Sequence, residues 1–344
     1  MDKKVVRNND VGTSRMTIKD VAEALGISKT TVSRAISGKG RIGEATREKV
    51  LAYIKEKGYQ PNPIAKSLAD QKTYNIAWVV PGDLGMTDLP FFQKCMAGVT
   101  KAAENKDYDV IISMVYDDNN ESLKRIVRNN KVDGAVLGRT LTMDKNAEFL
   151  KEAGIPFVCV GSTDDNSVIQ VDSDHVKACS ELTSTLISND LRWLALIGGN
   201  ENYIVNNARK EGFERAINEA NKRGLSVMSR SFMNVNTAQD VSKIVDSLIK
   251  DDVQCIIAAD DRICSYLIEK LQRDNIRIPK DIKVASFYNS ELISNSKPRI
   301  TCLQFDPENM GATATSILIS YMEGKEVSSK TLIGYKVLIN GSTK

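Results

Sequence analysis

Near its start the chain places apolar residues at helical intervals in three short bursts. Ile18, Val21, Ala22 and Leu25 share one face of a helix about two turns long, with Thr17 and Asp20 at its head and Gly26 as its stop. Ser28 is a good cap for a second short helix, Lys29 to Ile36, which turns Val32, Ala35 and Ile36 inward. A third helix is expected from about Glu44 to Lys57, burying Val50 and Ile54 and ending at Gly58. Two short helices joined by a tight turn and backed by a third describe a helix-turn-helix. The next segment, Tyr59-Gln60-Pro61-Asn62-Pro63, cannot continue the helix and reads as a linker. Beyond it, Ile64 to Ala69 has the length of about one and a half turns, too short to be stable alone, and is expected to order only on binding a partner.

From Asn75 onward the pattern changes to short apolar strands alternating with amphipathic helices. Strands are predicted at Ile76–Val80, Val110–Met114, Gly134–Leu137, Phe157–Val160, Trp193–Ile197, Cys255–Ala258 and Val284–Phe287. Such alternation argues for parallel sheets covered by helices on both faces. Roughly 270 residues of it exceed the usual single doubly wound sheet, so two α/β subdomains with a cleft between them are expected behind the all-α head.

Charge sharpens the division. Residues 1 to 70 carry fourteen Lys or Arg against eight Asp or Glu, a net of +6, whereas the whole 344-residue chain is only +3, so the remainder is net −3. A small basic module on a mildly acidic body points to a polyanion partner at one end, because neutralising phosphates is the main source of non-specific nucleic-acid affinity. A membrane surface would share that charge, but neither a basic amphipathic anchor nor a spanning apolar run is present, so no membrane partner is expected. Met1 to Arg15 is polar and reads as a disordered tail without the apolar core of a secretory signal. The six cysteines are scattered without CxxC spacing and read as free core thiols, which implies a reducing cytoplasm, no metal site and no cofactor.

The stretch from Met16 to Ile36, Met-Thr-Ile-Lys-Asp-Val-Ala-Glu-Ala-Leu-Gly-Ile-Ser-Lys-Thr-Thr-Val-Ser-Arg-Ala-Ile, closely resembles the opening of the LacI/GalR family of bacterial transcriptional regulators. Further elements of the pattern follow in order: Gly58-Tyr59-Gln60-Pro61-Asn62, Ala65-Lys66-Ser67-Leu68, Pro90-Phe91-Phe92, Val132-Asp133-Gly134, Gly154-Ile155-Pro156, Leu196-Ile197-Gly198-Gly199, Gly212-Phe213 and Met310-Gly311. The resemblance implies a helix-turn-helix domain over 16–59, a hinge over 60–73 and, over 74–344, an effector-binding and dimerisation body. That body would resemble a periplasmic sugar-binding protein, its chain crossing between subdomains near 172, 304 and 328. It implies a repressor that binds a palindromic operator in double-stranded DNA as a homodimer, with a tetramer left open, under the control of a small molecule, by family habit a carbohydrate.

The same resemblance assigns residues. The second helix would lie in the major groove, where each base pair presents its own donor and acceptor pattern. Lys29 and Thr30 match the positions that set operator choice, and Arg34 matches one that reaches a guanine. Thr17, Ser28, Thr31 and Ser33 complete the DNA-facing set. Leu68 matches the hinge leucine that wedges into the minor groove, with Asn62 and Ala65 supporting the hinge helix. In the body, Phe92, Arg209 and Asp260 match effector-contacting positions. The sequence departs from the family where Phe287-Tyr288-Asn289 sets Tyr288 at an effector-binding Asp, so that Tyr288 or Asn289 would meet the ligand. It departs again at Phe305, where Gln is frequent. Whether the effector releases or strengthens DNA binding is not legible.

The alternative is a doubly wound enzyme with an appended DNA-binding head. Gly198-Gly199-Asn200 lacks the GxGxxG dinucleotide pattern, and no GxxxxGK(S/T) phosphate loop occurs. His175, the sole histidine, lies in Asp172-Ser173-Asp174-His175, so a Ser-His-Asp arrangement is conceivable, although a lone histidine at a helix start is more often structural. Asp117-Asp118 and Asp251-Asp252 read as solvated charge. No residue is assigned a catalytic role, and the chain is expected not to be an enzyme.

Overall fold

The computed structural model describes residues 16–38, 40–82, 89–116 and 119–344; Met1–Arg15 and Asp117–Asp118 lie outside them. The contacts divide the chain into two compact units, with the boundary between Thr73 and Tyr74.

In the first unit the three expected helices form within a residue of their sequence bounds: α1 (Ile18–Leu25), α2 (Lys29–Ser37) and α3 (Glu44–Lys57). They close over a small core of Val21, Ala22, Val32, Ala35, Val50 and Tyr59. Beyond the linker, α4 (Pro63–Asp70) is helical. Pro63 at the helix start has its φ already set, and the Asn62 carbonyl accepts the Lys66 N–H at 3.1 Å, closing the first turn.

The second unit contains two lobes, each built on a six-stranded sheet. Lobe 1 holds β1 (Asn75–Pro81), β2 (Asp109–Val115), β3 (Gly134–Leu137), β4 (Phe157–Val160), β5 (Ile169–Asp172) and the distant β11 (Lys330–Leu332), in the order β11-β5-β4-β3-β1-β2, all parallel. The helices α5 (Leu89–Glu104), α6 (Glu121–Arg128), α7 (Lys145–Glu152) and α13 (Pro307–Met322) accompany it. Lobe 2 orders its strands β12-β10-β9-β8-β6-β7. These are β6 (Trp193–Ile197), β7 (Met228–Phe232), β8 (Cys255–Ala258), β9 (Lys283–Ser286), β10 (Thr301–Gln304) and β12 (Lys336–Leu338), with only the β10–β12 pair antiparallel. Its helices are α8 (His175–Ser188), α9 (Ile204–Lys222), α10 (Ala238–Lys250), α11 (Asp261–Arg273) and α12 (Glu291–Ser294).

The chain passes between lobes after β5, after β10 and after β11. The third passage lies between Leu332 and Lys336 rather than at 328, because β11 still pairs with β5 of lobe 1. All seven predicted strands are present. The five others escape the apolar pattern: Ile169–Asp172 alternates with polar residues, Met228–Phe232 holds three polar residues in a row, Thr301–Gln304 is polar at both ends, and β11 and β12 are three residues long.

Glycines hold each lobe's principal helix pair close, and on α5 a Cβ at Gly98 would fall 1.9 Å from the Glu308 carbonyl oxygen of α13. A Cβ on Gly311 of α13 would fall 2.1 Å from the Cys95 carbonyl oxygen of α5, and one on Gly212 of α9 would fall 2.4 Å from the Val176 carbonyl oxygen of α8. All six cysteines are free and buried. Among the described residues no helix is long and apolar enough to cross a membrane.

Candidate functional site

Two places concentrate chemistry. The first is the outward face of α2. Thr17 and Asp20 form a reciprocal capping box on α1, the Asp20 carboxylate accepting from the Thr17 N–H at 2.7 Å and from its hydroxyl at 2.8 Å. Gly26, in the left-handed region at φ 67°, then turns the chain sharply. The Ser28 hydroxyl accepts the Thr31 N–H at 3.1 Å and bonds the Thr31 hydroxyl at 2.8 Å. The hydroxyls of Thr17, Ser28 and Thr31 thus build the motif itself. With Val32 and Ala35 buried, Lys29, Thr30, Ser33 and Arg34 are left on the exposed side of α2. Of the residues expected at a hinge, Asn62 and Ala65 are exposed and Leu68 is 81% exposed, an apolar side chain with little to cover it.

The second place is a cleft of about 340 Å³ in the body, lined by residues of both lobes. It collects the carboxyl ends of parallel strands, the usual ligand position in open α/β sheets. Gly138, Arg139 and Thr140 follow β3, Val160 and Gly161 end β4, and Asp172 ends β5. From lobe 2, Asp260, Asp261 and Arg262 follow β8, Tyr288 follows β9 and Phe305 follows β10. Phe92 and Arg209 also line it.

The acidic groups here are largely committed to the protein's own donors. Asp172 accepts the N–H groups of Ser162 and Ser173, each at 2.8 Å, and lies 3.2 Å from His175 Nε2. Burial pushes the Asp172 carboxyl upward, but the His175 charge and these hydrogen bonds outweigh it and leave the group below its ordinary range. Asp260 caps α11 by accepting the Ile263 N–H at 2.8 Å. Asp261 is pushed up to about 6, chiefly by burial, with the neighbouring Asp260 charge adding to it. By contrast Arg209, 8% exposed, has its Nε buried without an acceptor while its guanidinium carbon lies 6.0 Å from the Tyr288 ring. Aromatic rings fill the rest. Tyr288 and Phe305 lie nearly parallel at 6.2 Å, and Phe91 meets Tyr288 edge-on at 6.1 Å. Burial pushes the Tyr288 phenol well above its ordinary value, so it acts as a neutral hydroxyl.

Of the five residues expected at the effector site, Phe92, Arg209, Asp260 and Tyr288 line the cleft. Asn289 does not. The Tyr288 carbonyl accepts the Ser286 hydroxyl at 2.6 Å in the turn after β9, which sets Tyr288 into the cleft and leaves Asn289 outside its lining. The sequence reading did not single out Arg139, Asp261 or Arg262 as ligand-facing, although each follows closely on the end of a predicted strand. The Ser-His-Asp possibility is not assembled: His175 is paired with Asp172, and neither its Nδ1 nor the Ser173 hydroxyl has a partner.

Comparison with known proteins places both sites in a shared context. Residues 17–62 match the family model of bacterial regulatory proteins of the lacI family, and residues 183–343 match the periplasmic binding protein-like domain. The chain is 26% identical to catabolite control protein A of Priestia megaterium over 339 residues, covering 96% of this chain and 99% of that protein. It is 29% identical to the HTH-type transcriptional regulator RegA of Clostridium saccharobutylicum, over 92% of this chain and 95% of that one. Among solved structures, the lac repressor dimer bound to operator and the anti-inducer ONPF superposes with a TM-score of 0.77 at 20% identity, covering 96% of this chain and 99% of that chain. A complex of the regulator CelR with cellobiose gives 0.69 at 24% identity, over 95% and 100% of the two chains. A DNA-binding head, a two-lobed body and relatives that match along almost their whole length lead to one assignment: this chain belongs to the LacI family and is a DNA-binding transcriptional regulator.

Proposed function

We propose that the protein is a cytoplasmic repressor that binds a palindromic operator as a homodimer and is controlled by a carbohydrate held in the cleft between its lobes, without catalytic turnover. The observation that carries the DNA half is the exposed row Lys29, Thr30, Ser33 and Arg34 on a capped α2. Arg34 supplies a guanidinium fork for guanine O6 and N7, and Lys29 and Thr30 set the neighbouring preference. Leu68 is the wedge at the operator centre, where apolar insertion kinks the duplex and Asn62 and Ala65 hold the hinge helix. Thr17, Ser28 and Thr31 serve beside the phosphates while capping their helices.

The exposed edges of both sheets support a second copy of the chain as partner. On the edge strand β2, Ser113 and Val115 point inward while Ile112 and Met114 stand 53% and 55% exposed, followed by Tyr116 at 49%, and Met228 on the edge strand β7 is 61% exposed. Uncovered apolar edge strands are an association hazard unless a partner covers them. For the effector, a polar ring molecule suits Arg209 and Asp260 set among Phe91, Phe92, Tyr288 and Phe305.

Selection of operator sequences from random DNA, followed by titration of Arg34→Ala, tests the reading. Loss of selectivity at one base pair per half-site, worth about 1–3 kcal/mol, is expected, together with a steep fall in affinity with salt. Full selectivity in Arg34→Ala would sink the recognition-helix assignment.

A further inference from the structure

Where Arg139 and Tyr203 line the cleft from opposite lobes, the lobes are joined through their backbones. The Thr142 N–H donates to the Asn202 carbonyl at 3.1 Å, Leu141 and Tyr203 form an isolated antiparallel bridge, and the Arg139 guanidinium lies 4.3 Å from the centre of the Tyr203 ring. A second tie, Phe91, packs against the hydrophobic cores of both lobes.

The two halves of this junction differ in support. On lobe 2 the turn from Asn200 to Tyr203 is braced. Tyr203 N–H donates to the Asn200 carbonyl at 3.2 Å, Glu201 N–H donates to Asn234 Oδ1 at 3.0 Å, and the Glu201 carboxylate takes Lys210 Nζ at 3.1 Å and Asn234 Nδ2 at 2.9 Å. On lobe 1 the segment 139–143 lies outside the regular strands and helices, between Gly138, tied to the Val79 carbonyl, and Asp144, the cap of α7. Against this segment lies a second cavity of about 170 Å³, bounded by Thr140, Leu141 and Asp144 on one part of its wall and by Lys151 and Cys159 on another. The lobe 2 half is cross-braced to α9 and to Asn234, whereas the lobe 1 half, with its Leu141 N–H held by the nearby Asp144 carboxylate, lies against open space.

We propose that residues 139–142 and Tyr203 form a latch that closes the two lobes on each other with no effector present, so that an effector enters or leaves only when the lobe 1 segment withdraws toward the cavity beside it. Each contact of the latch is individually weak, so it opens thermally rather than holding permanently. The closed fraction raises the apparent dissociation constant of any cleft ligand, and a ligand that also contacts Arg139 or Tyr203 shifts that fraction. The regulatory meaning rests on the cleft being the effector site; the latch itself does not.

Hydrogen exchange on the full chain without effector reads the latch directly. The Thr142 amide is expected to exchange about tenfold or more slowly than in Tyr203→Ala, and exchange at the unprotected rate in the parent would overturn the proposal. A second reading uses Val160→Cys, a near-isosteric thiol on the cleft wall at a position 3% exposed, in a chain whose own six cysteines are buried. Maleimide labelling should accelerate about tenfold with Tyr203→Ala and stay unchanged with Tyr203→Phe, which keeps the ring; equal rates in all three would exclude the latch. Should Tyr203→Ala fail to fold, the pair Thr142→Cys and Asn202→Cys, which keeps the Tyr203 ring, replaces it, since these residues face each other beside the antiparallel bridge and opposed residues lie about 4.5–5.5 Å apart, within disulfide reach. That pair must cross-link in the effector-free chain, and no cross-link overturns the latch. None of these measurements uses an effector. A cleft that binds no sugar therefore refutes the effector reading alone, and an open Thr142 amide refutes the latch alone.

Discussion

At the scale of single residues, the cleft stores an electrostatic cost that a pH series can expose. Asp261 is held at about 6, against an ordinary value of 3.8, mainly because burial disfavours its charged form. A carboxyl whose folded value is raised contributes stability below its unfolded value and loses it as pH rises through the folded one, here between about pH 4 and pH 6. Asp261→Asn is expected to remove this dependence, gaining roughly 2–3 kcal/mol at pH 8 and almost nothing at pH 4, as read by urea denaturation at each pH. Loss of stability at pH 8 would mean that the charged carboxylate is needed by its neighbours. The sequence alone could suggest Arg209 and Tyr288, because they fall on positions of a recognisable pattern. It could not show that the Arg209 Nε lacks an acceptor or that Asn289 is turned out of the cleft, since both depend on the geometry of a folded turn.

At the scale of elements, the head was the most legible part, because its signals are local. Capping residues, left-handed glycines and a three-to-four-residue apolar period each act within one helix. Ser28→Ala should remove the cap of α2 at a cost of about 1 kcal/mol. It is expected to lower operator affinity nearly equally for all sequences, in contrast to the base-selective effect of Arg34→Ala; a change in preferred operator on Ser28→Ala would contradict this division of labour. In the body, the Met310-Gly311 and Gly212-Phe213 motifs could be recognised in the sequence, but their reason lies in three dimensions, where backbone of the packed helix occupies the space of a side chain. Gly311→Ala must push α5 and α13 apart or distort them. A loss of about 1–3 kcal/mol or more is expected, measured as a lower thermal midpoint. An unchanged midpoint would show that the pair can slide.

For the whole molecule, the proposed function requires a reader and a sensor to be coupled across the segment that holds α4, a bare two turns long. Allosteric coupling between such sites typically amounts to about 1–3 kcal/mol, enough for a five- to hundredfold change in occupancy. A thermal-shift screen of sugars and nucleosides on the full chain is expected to raise the midpoint with at least one sugar, because a ligand that binds only the folded cleft stabilises it by mass action. If nucleosides stabilise and every sugar fails, the carbohydrate assignment is wrong while the regulator assignment stands.

What the sequence determined by itself was the part written in short-range patterns: three capped helices, a proline-broken linker, seven apolar strands and a basic head on an acidic body. The short or polar strands β5, β7, β10, β11 and β12 were decided only by tertiary structure, since their pairing partners, not their own residues, make them strands. So was the position of the third passage between lobes. The cleft belongs to the same class, because its walls come from loops far apart in sequence that meet only when two parallel sheets present their carboxyl ends to one another. The junction at Leu141 and Tyr203 is the extreme case: a backbone hydrogen bond between separate lobes leaves no trace in residue type.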